Sequence, residues 1–198
     1  MNGMKNAMNL SSKSVHHFMP YFDEHIVLTG KGTDPFEMLK DIYYGIMAEV
    51  KKGNNVFHME IDCIMVKPIL NPFKTFNKIE LFTRTSPPSI KYKRMRIDPY
   101  MNSGVKYIPA DFPRELIAQA DEMILDYDKT FWGYDQIVFN FLYFSQHDRA
   151  YPMREELNYM PFPDVRKHIT KEEAAILHFC SSRGAKECYE SMVKENVI

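Results

Sequence analysis

The sequence has few of the features that mark several large classes of protein. Among its 198 residues are only three cysteines, Cys63, Cys180 and Cys188. That odd number has no metal-binding spacing, so we expect reduced thiols in a cytoplasmic protein. No apolar run reaches the ~18 residues of a transmembrane segment, and residues 1–12 lack the apolar core of a signal peptide.

The charge balance of the sequence is nearly neutral. Lys and Arg number 25 and Asp and Glu number 26, which gives a net charge of -1. This balance provides no basic field for nucleic acid, so we expect no nucleic-acid partner. The length suits one compact α/β domain with a substantial core. We expect a flexible arm over residues 1–12 and a single domain over residues 13–198.

Two acids interrupt the apolar run at residues 56–66, VFHMEIDCIMV. The run predicts a buried strand, and the period of two along a strand places Glu60 and Asp62 on the same face. Burying two like charges side by side is costly unless a cation lies between them. A divalent metal that carries phosphates is the candidate, since hard cations bind carboxylate oxygens. The alternative is a strand end that reaches the surface and leaves both acids in water.

The sequence before this run predicts two short strands and a helix. The strands cover residues 14–18 and 25–29. Asp34 as cap and Pro35 in the first turn begin the helix, which runs to about Lys52 and ends at Gly53. The strand–helix–strand order predicts an α/β fold with a mixed, mostly parallel sheet flanked by helices. In such sheets ligands bind at the carboxyl ends of the strands.

The later part of the chain predicts further strands and helices. The strands cover residues 79–84, 90–95 and 174–179, and the helices cover residues 112–125, 136–144 and 185–196. Asp135 immediately precedes the second of these helices, which indicates a helix cap. His178 lies in the last apolar strand, where a lone histidine is more often a core residue than a metal ligand.

Four separated motifs occur in one order along the chain. They are Glu60-Ile-Asp62 in an apolar run, Asn102-Ser-Gly104, Asp135-Gln136 followed by Asn140, and Ile176-Leu-His-Phe179. Over about residues 13 to 190 the chain resembles the GT-A glycosyltransferases, especially the family that contains glycogenin and the bacterial lipopolysaccharide galactosyltransferases. It also resembles the small sugar-transferase domains encoded by large algal viruses. The resemblance implies a single Rossmann-like GT-A domain and, for a viral protein, a location in the host cytoplasm.

The resemblance implies a metal site and a nucleotide diphosphate sugar donor. Glu60-Ile-Asp62 matches the family's Asp-x-Asp motif, whose second acid binds a divalent metal, usually Mn²⁺ (or Mg²⁺). The first acid helps to hold the metal or the ribose. His178 matches the late histidine that completes the metal site. Glutamate at position 60 departs from the family's aspartate.

The resemblance also implies contacts to the donor sugar. Asn102 and Gly104 match the turn that faces this sugar, and Asp135 and Gln136 match the pair near its reacting carbon. In an inverting mechanism Asp135 is the candidate base for the acceptor hydroxyl. In a retaining mechanism Gln136 or the leaving phosphate lies on the reacting face. The sequence leaves both mechanisms open.

Further residues resemble the family's contacts to phosphate and base. Lys40 resembles the basic residue on the helix before the acidic motif, which reaches phosphate or sugar. Arg183 and Lys186 are the candidates for the lysine that grips the leaving diphosphate, although neither has the family's spacing. Tyr21 and Asp23, an aromatic residue and an acid in the loop after the first predicted strand, are the candidates for base recognition.

These observations favour a metal-dependent glycosyltransferase. It would move a sugar from a nucleotide diphosphate sugar, expected to be a UDP sugar such as UDP-glucose, to a glycan, a glycoprotein or another hydroxyl acceptor. Two alternatives remain: a metal-dependent nucleotidyltransferase or phosphohydrolase, and a noncatalytic sugar-binding module. The absence of the usual glycine-rich phosphate loops disfavours the first alternative, and Glu60 in place of aspartate is the reason to keep the second.

Overall fold

The computed structural model describes most of the chain. The described residues are 2–19, 24, 26–28, 34–69, 78–83, 89–126, 128–131, 133–146, 150–162, 167–179 and 185–195. The helices are α1 (Asn2–Phe18), α2 (Pro35–Lys52), α3 (Arg114–Leu125), α4 (Tyr134–Phe144) and α5 (Ala185–Glu195). The strands are β1 (Val56–Met59), β2 (Cys63–Met65), β3 (Ile79–Thr83), β4 (Ile90–Tyr92), β5 (Met95–Ile97), β6 (Met101–Ile108), β7 (Ala150–Pro152) and β8 (Ile176–His178). No helix in these ranges is both long and apolar enough to cross a membrane.

The chain divides into two compact units, each made of separate segments. Unit 1 comprises Met1–Ile26, Met59–Lys74 and Met153–Ile198, and unit 2 comprises Val27–His58 and Thr75–Pro152. Unit 1 contains α1, α5 and the two-stranded sheet β2–β8. Unit 2 contains α2, α3 and α4, a four-stranded sheet and the hairpin β4–β5. The described residues contain both helices and strands, so the predicted α/β class is confirmed, but β1 to β6 follow one another along the chain with no described helix between them.

The strand directions differ from the prediction. The sheet of unit 2 has the order β1-β6-β3-β7, in which β3 is antiparallel to β6 and parallel to β7. The pairs β2–β8 and β4–β5 are also antiparallel. The prediction of a mostly parallel sheet is therefore wrong. Residues 26–28, predicted as part of the strand before α2, lie outside any strand, so they do not form the expected strand–helix–strand unit. The connection of two residues between β4 and β5 permits only an antiparallel hairpin.

Helix α2 begins and ends where the sequence predicts. The side chain of Asp34 accepts a hydrogen bond from the backbone N–H of Phe36 at 2.9 Å, and Pro35 occupies the first turn. Gly53 ends the helix with φ 92°, a left-handed conformation that only glycine adopts without strain. The buried side chains of α2 are Tyr43, Ile46, Met47 and Val50, which form part of the core of unit 2.

Helix α4 packs against strand β6, all of whose residues are buried. Gly133, with φ 82°, precedes the first residue of α4. Asp135 therefore lies inside the first turn, and the prediction that it caps the helix is wrong. The reason is that Gly133 lets the chain enter the helix two residues earlier than a side-chain cap at Asp135 would. The adjacent core of unit 2 includes Ile79, Leu81, Ile137, Val138 and Leu142.

Three predicted strands are replaced by other structures. Residues 14–18 belong to helix α1, which also includes residues 2–12 of the predicted arm. Its Ser14 hydroxyl accepts a hydrogen bond from the backbone N–H of Met65 at 3.0 Å, which fixes α1 to β2. The strand predicted at 90–95 is the hairpin β4–β5, and residues 26–28 of the strand predicted at 25–29 lie outside any strand. Short apolar runs are compatible with helix or strand, and tertiary contacts decided these cases.

Candidate functional site

The acidic motif lies in a turn and not in a strand. The predicted strand at 56–66 is divided into β1 and β2 by residues 60–62, and the backbone N–H of Cys63 donates to the carbonyl of Glu60 at 3.1 Å. The backbone N–H of Phe179 donates to the carbonyl of Asp62 at 2.9 Å, and Cys63 pairs with His178 across β2 and β8. The turn is therefore fixed against the strand that carries the late histidine.

Three predicted site residues meet at this turn, and we call them the acidic cluster: Glu60, Asp62 and His178. Nε2 of His178 lies 3.5 Å from Oδ1 of Asp62 and 3.9 Å from Oε2 of Glu60. His178 and Asp62 are buried, whereas the side chain of Glu60 is 37% exposed. Sγ of Cys63 is 3.9 Å from Oδ1 of Asp62, and ligand atoms of Cys63, Asp62 and His178 lie within 4.8 Å of one another.

A buried asparagine sets the orientation of the His178 ring. Oδ1 of Asn158, which is fully buried, lies 2.8 Å from Nδ1 of His178. An amide oxygen only accepts, so Nδ1 of His178 donates to Asn158, and Nε2 is the ring nitrogen that faces the two carboxylates. In the neutral ring Nε2 carries a lone pair, which can bind a cation that the same carboxylates hold. This arrangement of two oxygen ligands, one nitrogen ligand and a hydrogen-bonded second nitrogen fits a divalent metal.

A second group of predicted residues meets in unit 2, at the start of β6 and the first turn of α4. We call it the amide cluster: Asn102, Gly104, Asp135 and Gln136. Oδ1 of Asn102 accepts from the backbone N–H of Gly104 at 3.0 Å, and Nδ2 of Asn102 donates to Oε1 of Gln136 at 3.5 Å. The side chains of Asn102 and Asp135 are buried, and that of Gln136 is half-buried. The motif at residues 102–104 and the pair at 135–136 thus lie together.

The electrostatic environment of the amide cluster includes a lysine that sequence reasoning missed. Burial raises the pKa of Asp135, and the positive charge of Lys106 opposes this effect. Lys106 is itself buried and lies 2.9 Å from the ring of His58. A lysine inside the apolar strand segment at residues 105–108 was the available signal, because an uncompensated lysine is rarely fully buried.

The remaining predicted residues are either not part of these clusters or lie outside the residues that the structure describes. Lys40, in α2, forms an ion pair with Glu37 of the same helix at 3.6 Å. Lys186 belongs to α5, but its side chain is not among those described. Tyr21, Asp23 and Arg183 lie outside the described residues. The predicted roles of these five residues stay predictions.

Comparison with known proteins adds information on the fold. No protein-family model matches the sequence, and no curated protein matches it. Among solved structures, the chain is similar to a glycosyltransferase involved in the glycosylation of the major capsid of PBCV-1, with a TM-score of 0.62 and 15% sequence identity. The similarity covers 96% of this chain and 92% of that chain. The chain therefore has the fold of a glycosyltransferase, whereas its function has to be argued from its site.

Proposed function

We propose that this protein is a metal-dependent glycosyltransferase. Its donor is a nucleotide diphosphate sugar, expected to be a UDP sugar such as UDP-glucose, and its acceptor is a hydroxyl of a glycan or glycoprotein. The observation that carries the proposal is the acidic cluster, in which Nε2 of His178 faces Asp62 and Glu60 at 3.5 and 3.9 Å. The similarity of the fold to that of a glycosyltransferase supports this choice among the reactions that such a cluster could serve.

The acidic cluster would hold Mn²⁺ or Mg²⁺. Asp62, His178 and Glu60 are the proposed ligands, and the metal, when bound, stabilises the negative charge that develops on the leaving diphosphate. Asn158 accepts the hydrogen bond from Nδ1 of His178 and so keeps Nε2 directed at the cluster. Because Glu60 is the most exposed of the three side chains, it is the ligand most able to move toward the ribose instead.

The amide cluster would act on the sugar. In an inverting reaction, the carboxylate of Asp135 takes the proton of the acceptor hydroxyl while the acceptor oxygen bonds to the sugar carbon and the bond to the diphosphate breaks. Burial raises the pKa of Asp135 and so makes it a stronger base. In a retaining reaction, Gln136 or a phosphate oxygen lies on the reacting face, and the hydrogen bond from Asn102 to Oε1 of Gln136 sets the direction of that amide.

The test is release of nucleoside diphosphate from a panel of nucleotide sugars. The parental protein is incubated with UDP-, GDP- and TDP-sugars, with Mn²⁺ or with a chelator, and the products are separated. We expect UDP release that requires the metal. Release of pyrophosphate or inorganic phosphate instead would favour a nucleotidyltransferase or phosphohydrolase. Metal-dependent binding of the UDP sugar without any product would indicate a noncatalytic module and contradict the proposal.

The cytoplasmic location is part of the same proposal. Cys63 is a buried cysteine outside any disulfide bond, and a reducing compartment keeps thiols in this state. If the protein is viral, this compartment is the host cytoplasm.

A further inference from the structure

Cys63 is a buried cysteine beside the acidic cluster. It directly follows Asp62 and is the first residue of β2. In the pairing of β2 with β8 it lies directly opposite His178. Residues directly opposite each other on antiparallel strands carry their side chains on the same face of the sheet, with Cβ atoms about 4.5 to 5.5 Å apart. The register of the sheet therefore places the sulfur atom on the same face as the histidine ring.

The side chains of Asp62, Cys63 and His178 bring an oxygen, a sulfur and a nitrogen ligand together. Sγ of Cys63 lies 3.9 Å from Oδ1 of Asp62, and this oxygen lies 3.5 Å from Nε2 of His178. One ligand atom from each of the three buried residues lies within 4.8 Å of the other two. Ligands bound to one Zn²⁺ at about 2.0 to 2.3 Å lie about 3.3 to 3.8 Å apart in a tetrahedral arrangement. The observed separations are close to these values.

A sulfur ligand changes the metal that the cluster prefers. Carboxylate oxygens suit Mn²⁺ and Mg²⁺, whereas a thiolate favours softer ions such as Zn²⁺. Cysteine, histidine and carboxylate are the ligand types of zinc sites, and a cysteine is not a ligand type of magnesium sites. When the ion binds, the S–H bond breaks, the sulfur bonds to the metal and the proton goes to water.

Neighbouring groups hold these side chains in place. The backbone N–H of Phe179 donates to the carbonyl oxygen of Asp62 at 2.9 Å, and Nδ1 of His178 donates to Oδ1 of Asn158 at 2.8 Å. Partners that orient a metal ligand in this way strengthen metal binding. The alternative is a Cys63 thiol that only donates a weak hydrogen bond to Asp62, which also fits the 3.9 Å distance. Metal titration separates the two.

We propose that Cys63 is a further metal ligand, which together with Asp62 and His178 makes this a site for Zn²⁺ or another thiophilic divalent ion. The inference deepens the proposed function and rests on it only for the presence of a metal at this cluster. A catalytic zinc site has three protein ligands and one open position. Glu60, whose side chain is 37% exposed, is then the group that can leave this position to a diphosphate oxygen.

Co²⁺ absorption tests the inference without sugar transfer. Co²⁺ takes the place of Zn²⁺ in such sites, and a bond between Co²⁺ and sulfur gives an intense charge-transfer band in the near ultraviolet that oxygen and nitrogen ligands do not give. The protein used is Cys180→Ser/Cys188→Ser, in which Cys63 is the one remaining cysteine. We expect the band with equimolar Co²⁺ and its loss when Zn²⁺ is added. Absence of the band at saturating Co²⁺ would overturn the inference.

Variants in the same background show whether Cys63 binds the ion as part of the cluster. Cys63→Ser removes the sulfur and should abolish the band. His178→Gln should also abolish it at the same Co²⁺ concentration, whereas His168→Gln, at an exposed histidine, should keep it. A band of equal intensity in His178→Gln would show that Cys63 binds Co²⁺ without the cluster, which contradicts the proposal.

Calorimetric titration measures the preference for a soft ion. Loss of an outer-shell partner already lowers metal affinity about 10- to 100-fold, so loss of the ligand itself in Cys63→Ser should lower Zn²⁺ affinity at least about 10-fold. Mn²⁺ affinity should fall by a smaller factor, because a thiolate is a poorer ligand for this harder ion. An equal factor for the two ions, or no change for Zn²⁺, would overturn the inference.

The test remains decisive if a variant does not fold. Without Cys63→Ser, the band of the double variant still decides, because its sulfur can come only from Cys63. Without the double variant, the band of the parental protein and its loss in Cys63→Ala decide. If the parental protein shows the band but transfers no sugar, the proposed function fails and the inference stands. Sugar transfer by a protein that gives no band would support the proposed function and overturn the inference.

Discussion

Asn140 holds helix α4 against strand β6 through two buried hydrogen bonds to Met101, and it makes a third bond within α4. Its Oδ1 accepts from the backbone N–H of Met101 at 2.9 Å. Its Nδ2 donates to the carbonyl oxygens of Met101 at 2.9 Å and Gln136 at 2.7 Å. Asn140→Leu keeps a similar volume but removes all three bonds. Because the two bonds to Met101 join the two elements that carry the amide cluster, the variant tests how that cluster is built.

The expected loss of stability follows from these partners. The N–H of Met101, which is 1% exposed, loses its partner, and a buried unsatisfied donor costs about 1 to 3 kcal/mol. Loss of the two bonds to carbonyl oxygens adds about 1 kcal/mol each, and the buried apolar surface of leucine offsets about 1 kcal/mol. We therefore expect the free energy of unfolding to fall by about 2 to 4 kcal/mol.

Urea unfolding followed by circular dichroism measures this change, and Asn55→Leu is the matched control. Oδ1 of Asn55 also accepts from a backbone N–H, that of Ala110 at 2.8 Å, but the pair is exposed to water. The control should lose less than about 1 kcal/mol, because water replaces the lost bond. Hydrogen exchange at the Met101 amide should accelerate in Asn140→Leu only. Equal losses in the two variants would refute this account of Asn140.

Two further predictions concern the acidic cluster and alkaline pH. Asn158→Leu removes the acceptor for Nδ1 of His178 and should weaken Mn²⁺ affinity about 10- to 100-fold, whereas Asn158→Asp keeps an acceptor oxygen and should lose less affinity. Calorimetric titration with Mn²⁺ measures both variants, and equal affinity in Asn158→Leu and the parental protein would refute the role of Asn158. Burial, with the charge of Glu80, raises the pKa of Tyr107 to about 12, above about 10 in the unfolded chain. The contribution of Tyr107 to the free energy of unfolding is thus fully present below about pH 10. It is lost as pH rises toward 12, because in this range Tyr107 releases its proton in the unfolded chain but keeps it in the folded protein. Urea unfolding at several alkaline pH values should show a shallower fall of stability for Tyr107→Phe, and parallel curves would contradict this assignment.

Local sequence signals predicted the elements whose ends depend on local interactions. Asp34, Pro35 and Gly53 identify both ends of α2, because capping and left-handed φ are properties of single residues. Strand pairing depends on distant segments, and there the predictions were wrong. Residues 56–66 have the composition of one strand, but the chain turns at residues 60–62 and β2 pairs with β8, more than a hundred residues later.

The candidate site was predictable only in part, for the same reason. The motifs identified Asp62 and His178, which the structure brings to 3.5 Å. Asn158 lies 20 positions before His178 in a stretch without a regular pattern, so no sequence signal connected the two. Lys106 and His58 are 48 positions apart and meet through the neighbouring strands β1 and β6. The partners that set protonation and orientation come from tertiary structure, which no short motif encodes.

The central claim is that the acidic cluster binds a metal that carries the nucleotide diphosphate, and calorimetric titration of UDP with and without Mn²⁺ tests it most directly. His178→Gln is compared with His168→Gln, a control at a 67% exposed histidine that contacts Glu155. We predict that UDP binds the parental protein and His168→Gln only with Mn²⁺, and that His178→Gln loses this binding while keeping its fold. Binding of UDP that is independent of Mn²⁺, or that is equal in His178→Gln and the parental protein, would contradict the claim.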